Sequence, residues 1–284
     1  MDTLAPWLSR SLEKVLDSAG TERLHHALLV DTRPGWGAEH FVAAWVAALI
    51  GIESDPREVA HPDIHWIKPD GPVLKIDQMR DLIEFVGHTV QVSERKIVVV
   101  ESIETANIAA SNAILKSLEE PPSNTHLFLI THAIDLLLPT IRSRCQRVSH
   151  EYGSQSECQD WLMNQGMKLE DVEKFTVEFG HSPYSILEAG EQRLESLRAR
   201  LLSTWRESER TLQLAGELKN EEIDGLLVRW MRIAERFAQR GTNPRIHLFW
   251  DDLVAARRAF KEVATLNKQL QIERLLIKWS ELAG

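Results

Sequence analysis

The sequence predicts an α/β fold built on a parallel sheet, followed by helical segments. Three observations carry this. Lys96-Ile97-Val98-Val99-Val100 and Leu127-Phe128-Leu129-Ile130-Thr131 are continuous apolar runs, the pattern of strands covered on both faces. Stretches with helical spacing separate the strand-like runs, and such alternation builds parallel sheets. Beyond His150 the strand-like runs stop and helical periodicity takes over.

Taken in order, residues 7–16 have helical spacing. His26-Ala27-Leu28-Leu29-Val30 is a short apolar strand that runs into turn residues from Asp31 to Gly37. Phe41 to Ile50 reads as an apolar helix that stops at Gly51, and His65-Trp66-Ile67 as a short strand. Ile76 to Val86 has helical spacing through Met79, Leu82, Ile83 and Val86. The strand at 96–100 follows, then a helix from Ala106 to Leu118 that two prolines terminate, then the strand at 127–131. Residues 154–190 suit two or three short helices. Longer helices are expected at Leu194–Trp205, Ile223–Gln239, His247–Leu266 and Leu270–Leu282, with a loop at Gly241-Thr242-Asn243-Pro244. Of the nine tryptophans, those at helical positions, among them Trp205, Trp230, Trp250 and Trp279, read as packing residues rather than a base-stacking platform.

Composition narrows the class. A chain of 284 residues suits two or three domains. Lys plus Arg number 33 and Asp plus Glu 42, so the formal charge is 33 − 42 = −9. A protein whose main task is to grip phosphate backbones carries a basic balance, so DNA contact is not expected to be the principal role. Cys145 and Cys158 are too few for a disulfide scaffold or a four-thiolate zinc site. No apolar run is long enough for a bilayer, and no signal peptide precedes the first helix, so a cytoplasmic location and no membrane partner are expected.

The chemistry-bearing segment is the turn after the first strand. A working phosphate loop joins a strand to a helix through G-x-x-x-x-G-K-[ST]. Its glycines let backbone N–H groups surround phosphates, its lysine supplies charge and its hydroxyl ligates magnesium. Here the context is kept, but Thr32 stands at the first glycine, Ala38 at the lysine and Glu39 at the hydroxyl. Gly35 and Gly37 remain. A triphosphate would meet the Glu39 carboxylate where an ammonium is needed, and Asp31 adds a second negative group. After the strand at 96–100, Glu101 lacks a paired acid and reads as a strand-end surface carboxylate.

Three segments in order then resemble a known family. Ala110-Ser111-Asn112-Ala113-Ile114-Leu115-Lys116-Ser117-Leu118-Glu119-Glu120-Pro121-Pro122 is similar to the Leu-Glu-Glu-Pro-Pro helix of bacterial clamp-loader AAA+ subunits of DNA polymerase III. Leu137 to Gln146 is similar to their segment with the Ser-Arg-Cys motif, here Ser143-Arg144-Cys145, and His61-Pro62-Asp63 to the motif before their second strand. An altered phosphate loop beside an intact Ser-Arg-Cys motif resembles the δ′ type within that family. The resemblance covers residues 20–150 best. Further on, His181-Ser182-Pro183 is followed by Tyr184 where ATP-binding members carry a sensor arginine, and Leu266 to Leu276 resembles the last collar helix.

The resemblance implies a RecA-like AAA+ domain over 1–150, a small helical lid over 151–192 and an all-α collar over 193–284. It implies a non-hydrolysing subunit that helps to load a sliding clamp on primer-template DNA, beside ATP-binding γ/τ subunits and a δ subunit. Arg144 would then be a finger reaching the ATP of the neighbour, a role that suits a permanently charged, forked donor. Arg142 is the competing candidate; on an extended segment both would face one side, and the motif selects Arg144. Asn112, Lys116 and Ser143 are candidate contacts with that neighbour. No nucleotide is expected in this chain, and no zinc, since the family's four-cysteine insertion is absent from residues 51–60. Two other readings fit the same residues: an ATP-binding subunit of γ/τ type, and a helical adaptor that carries a relic AAA+ domain.

Overall fold

The computed structural model describes residues 4–19, 24–71, 73–192, 194–206, 209–239, 241, 243, 245–262 and 266–283. The chain divides into two compact units, 1–161 and 162–284.

The first unit is a five-stranded parallel sheet in the order β2-β3-β4-β1-β5. The strands are β1 (Ala27–Asp31), β2 (Ile64–Ile67), β3 (Lys96–Val100), β4 (Thr125–Thr131) and β5 (Gln146–Val148). The helices are α1 (Pro6–Ala19), α2 (Ala38–Ile50), α3 (Ile76–Gly87), α4 (Ile108–Glu119) and the short α5 (Pro139–Arg142), while α6 (Gln155–Asn164) contains the point of division. Strand side chains alternate between faces, and helices cover both. Leu29, Val98, Val100, Leu127 and Leu129 share a core with Met79, Leu82 and Val86 of α3 and Ala110, Ile114 and Leu118 of α4. Phe128 meets the edge of Trp45 from α2 at 5.1 Å between ring centroids. Double coverage explains why the central strands read as unbroken apolar runs.

Asp63 has a structural duty. Its buried carboxylate accepts the backbone N–H groups of Gln91, Val92 and Ser93 at 2.7 Å each. Burial would raise its pKa, and these three bonds instead hold it below the ordinary carboxylate value. His61 precedes β2 and His65 lies within it. His61 Nδ1 accepts from Asp63 N at 3.1 Å, and His65 stacks on Phe85. Among the described residues no three His, Cys, Asp or Glu side chains converge as a metal site, and no helix is long and apolar enough to cross a membrane.

The second unit is helical: α7 (Leu169–Phe179), α8 (Pro183–Glu191), α9 (Leu197–Ser203), α10 (Arg210–Leu218), α11 (Ile223–Gln239), α12 (Arg245–Glu262) and α13 (Lys268–Ser280). From Leu162 on, the segments expected as lid and collar lie within this unit. Glu178 of α7 links them: its buried carboxylate accepts Leu197 N at 3.1 Å and Arg198 N at 3.0 Å, closing the amino end of α9. The helix at 223–239 is as expected. The one expected at 194–205 is shorter, and α10 was not anticipated. Thr242 and Pro244 of the expected loop, and residues 263–265 of the helix expected to reach Leu266, lie outside the described residues.

Tryptophan holds this unit together. Trp279 is fully buried, donates Nε1–H to Leu201 O at 3.0 Å, and its carbonyl accepts Trp205 Nε1–H at 2.9 Å. Its ring meets those of Trp205, Trp230, Phe237 and Phe249 at 5.3–6.1 Å. Trp279→Ala removes both the ring and a hydrogen bond, and is expected to cost about 3–5 kcal/mol. Urea unfolding followed by circular dichroism checks this; a midpoint equal to that of the unaltered chain contradicts it.

Candidate functional site

The site lies at the carboxyl end of the sheet, where open parallel sheets present their loops. β1 pairs with β4 so that Asp31 stands beside Thr131, and Thr32 N continues the ladder to Thr131 O at 3.0 Å. The turn from β1 into α2 depends on two left-handed glycines, Gly35 (φ 73°) and Gly37 (φ 81°), and Gly37 caps α2.

The interior of the loop is filled by its own side chains. Thr32 is buried, with its Oγ1 at 2.7 Å from His150 Nε2. His150 Nδ1 lies at 2.7 Å from Glu151 O, so that nitrogen carries the proton, Nε2 is the acceptor and the threonine hydroxyl donates. Burial keeps His150 neutral by lowering its pKa. Trp36 is buried too, set edge-on to Trp7 of α1 at 6.0 Å and to Tyr152 at 4.8 Å. Arg33 N donates to the Tyr152 hydroxyl at 3.2 Å, and its guanidinium lies over the same ring.

Ala38 is buried and brings no charge. Glu39, in the first turn of α2, pairs with His132 at 3.2 Å. His132 is the residue after β4, so strand adjacency brings the two together. Burial alone would raise the Glu39 pKa; the hydrogen bond and charge of His132, with Glu39's own backbone N–H, overcome it and hold the carboxyl low. For His132, burial pulls the other way and is overcome by Glu39, so its pKa is raised. A carboxylate therefore sits at the amino end of α2, where the helix field favours an anion. Nothing in the sequence around His132 singles it out; only the neighbour relation of β1 and β4 does.

Two expectations need correction here. Glu101 is not a surface carboxylate: it is largely buried, accepts Trp66 Nε1–H at 2.6 Å and lies 3.6 Å from Lys68 Nζ, and burial raises its pKa. Asp31 does not add free charge to the loop, because Arg147 of β5 pairs with it.

The Ser-Arg-Cys segment lies at the end of α5. Residues 139–142 are helical and Ser143 is still helical in its backbone, so Arg142 and Arg144 do not share one side of an extended strand. Arg142 is exposed. Arg144 Nε donates to Glu119 Oε1 at 2.7 Å, and its Nη1 to Thr140 O at 2.9 Å and Ser143 Oγ at 3.3 Å. Ser143 is itself exposed and its hydroxyl donates to Thr140 O. Burial pushes the Cys145 thiol up to about 12, and the side chain packs on the core shared with α3 and α4. Asn112, Lys116 and Glu119 are all exposed and follow one helical face of α4, with Ile114 and Leu118 buried behind it. Arg144, Ser143, Asn112 and Lys116 thus belong to two elements joined by the Arg144–Glu119 pair. Tyr184 is in the first turn of α8 in the second unit.

Comparison with known proteins adds the following. The family model described as "DNA polymerase III, delta subunit" matches residues 8–152, and the model of its C-terminal part matches 221–281. DNA polymerase III subunit delta′ of Pseudomonas aeruginosa is 28% identical over 256 residues, 79% of this chain and 78% of that protein. The protein of the same name from Escherichia coli K12 is 32% identical over 156 residues, 50% of this chain and 47% of that one, so the match spans about half of that relative. A solved DNA polymerase III gamma subunit-related protein from Thermotoga maritima shares the fold with TM-score 0.62 at 18% identity, over 96% of this chain and all of that one.

The Glu39–His132 pair gives a pH signature. His132, with a raised folded pKa, contributes fully below its ordinary 6.5 and loses its contribution as pH rises through the folded value. Glu39, with a lowered one, contributes fully above its ordinary 4.5 and loses it only at more acid pH. His65, His126 and His150, whose pKa values burial lowers, contribute the opposite slope, so the pair is read as a difference: Glu39→Gln is expected to cost more unfolding free energy at pH 6 than at pH 8.5. Denaturant titrations of both proteins at the two pH values test it; equal slopes refute the pairing.

Proposed function

The chain belongs to the DNA polymerase III delta′ family, and from this we propose that it serves the clamp loader without binding a nucleotide of its own. The observation that carries the reading is the self-filled loop. Thr32 is engaged by His150, Trp36 packs on Trp7 and Tyr152, and Glu39 takes the anion position at the amino end of α2. A triphosphate would have to expel a paired carboxylate and gain no lysine in return. Isothermal titration of the purified chain with Mg-ATP should show no binding; a Kd tighter than roughly 100 μM would falsify the reading in favour of an ATP-binding subunit.

The second half of the proposal concerns Arg144. In a loader that holds this chain beside ATP-binding γ/τ subunits and a δ subunit, Arg144 completes the neighbour's ATP site in trans. Support comes from its half-exposed guanidinium and from its place beside the exposed face of α4. Such a group stabilises charge that develops on the γ-phosphate, and arginine fingers contribute about 10³–10⁵ in rate. The clamp and primer-template DNA are reached through the assembly.

Arg144→Ala in a reconstituted loader should leave assembly intact by size-exclusion chromatography. At the one site that the finger completes, hydrolysis should drop by about 10³ or more. The steady-state, DNA-stimulated ATPase reads this as loss of that site's share. An unaltered rate would remove Arg144 from the role. Failure to co-purify with γ/τ and δ subunits would favour an adaptor instead.

A further inference from the structure

The donors of Arg144 are already spoken for within its own chain. A guanidinium has five N–H groups and two edges that can grip an oxyanion with parallel bonds, one through Nε and Nη2 and one through Nη1 and Nη2. Nε donates to Glu119 Oε1 at 2.7 Å, and Nη2 forms an ion pair with the same oxygen. Nη1 donates to Thr140 O and to Ser143 Oγ. Both edges are therefore engaged, and no phosphate can be gripped in a bidentate manner until one is released.

The two edges differ in how readily they yield. Thr140 and Ser143 lie within four residues of Arg144, and the Nη1 bonds follow from the local turn at the end of α5. Glu119 is on another element, 25 residues earlier in sequence, with its side chain 46% exposed. An exposed ion pair is weak and easily exchanged, because water and salt screen it. A triphosphate carries more negative charge than one carboxylate and offers several oxygens, so it outcompetes Glu119 for the Nε–Nη2 edge. Lys116, three residues before Glu119 on the exposed face of α4, is placed to take up the released carboxylate.

We propose that Glu119 is a positioning residue for Arg144, a latch that occupies the phosphate-gripping edge of the guanidinium in the free chain and yields it to the neighbour's ATP in the assembled loader. The inference rests on the trans-finger reading above. It assigns to the first glutamate of the Glu-Glu-Pro-Pro segment a task beyond ending the helix. The latch keeps the finger in one rotamer until a phosphate is presented, and it sets a threshold: ATP must compete with an internal carboxylate.

The test uses the loader reassembled from this chain with γ/τ and δ subunits, clamp and primed DNA, with steady-state ATPase measured over a range of ATP concentrations. Glu119→Gln keeps the shape and removes the charge. KM for ATP at the completed site should fall about two- to five-fold, the range that an exposed ion pair commands, with kcat unchanged. The double variant Glu119→Gln/Arg144→Ala should behave as Arg144→Ala alone. A merely structural Glu119 would move both constants or neither, and a lower kcat or an unmoved KM overturns the latch. Should Arg144→Ala by itself leave the ATPase intact, the finger reading fails and the latch with it. If that variant is impaired while Glu119→Gln leaves KM in place, only the latch is lost.

Discussion

The parallel pairing of β1 with β4 is the constraint on which the site depends. It fixes Asp31 beside Thr131, so whatever follows each strand meets at the same edge of the sheet. Thr32 N bonds to Thr131 O, and Glu39, in the first turn of α2, reaches His132. The next pairing, β4 with β3, brings Val100 beside Leu129 and sets Glu101 on the same carboxyl edge. In open α/β sheets this edge is where ligands bind. Here it is occupied by groups that three crossovers deliver from the chain itself.

Self-occupation has an energetic logic. A carboxylate partly withdrawn from water without a partner is unfavourable, and Glu39 and His132, with side chains 27% and 18% exposed, offset that cost for each other. The helix field at the amino end of α2 favours the negative member of the pair. Thr32 and Trp36 are tied down as well, by His150 and by Trp7 and Tyr152. A ligand shifts a conformational equilibrium only by its differential affinity for two states. On the reading proposed above, a loop already satisfied by its own side chains offers a nucleotide little such difference.

Much of this was legible in the residues, for identifiable reasons. The strands at 96–100 and 127–131 announced themselves because both faces are covered, and α11 because its apolar stripe is unbroken. The edge strand β5 went unseen: Gln146 and Arg147 are exposed and three residues leave no period to detect. The replaced positions Thr32, Ala38 and Glu39 showed that a lysine and a hydroxyl were missing, but not what replaced them. His132 and His150 lie 93 and 118 residues away from their partners Glu39 and Thr32, and only strand order joins them. Glu101 looked exposed because its burial depends on Trp66, a residue on another strand. Side chains whose meaning lies in a non-local partner were the ones that local pattern could not place.

The same principle separates the two arginines of the α5 segment. Arg142 and Arg144 are alike in charge and nearly adjacent, and the chain as a whole carries a formal charge of −9, so carboxylates are plentiful around either. A guanidinium on such a surface is drawn to a nearby carboxylate and loses rotamer entropy in pairing with it. Arg144 is paired in this way, with defined partners: Thr140 and Ser143 set one edge through the local turn, and Glu119 sets the other through the packing of α4 against α5. Its orientation is set by these contacts, of which the bond to Glu119 is the exposed, weak one. What distinguishes Arg144 from Arg142 is therefore the arrangement of acceptors around it rather than its charge, and that arrangement exists only once α4 and α5 have packed.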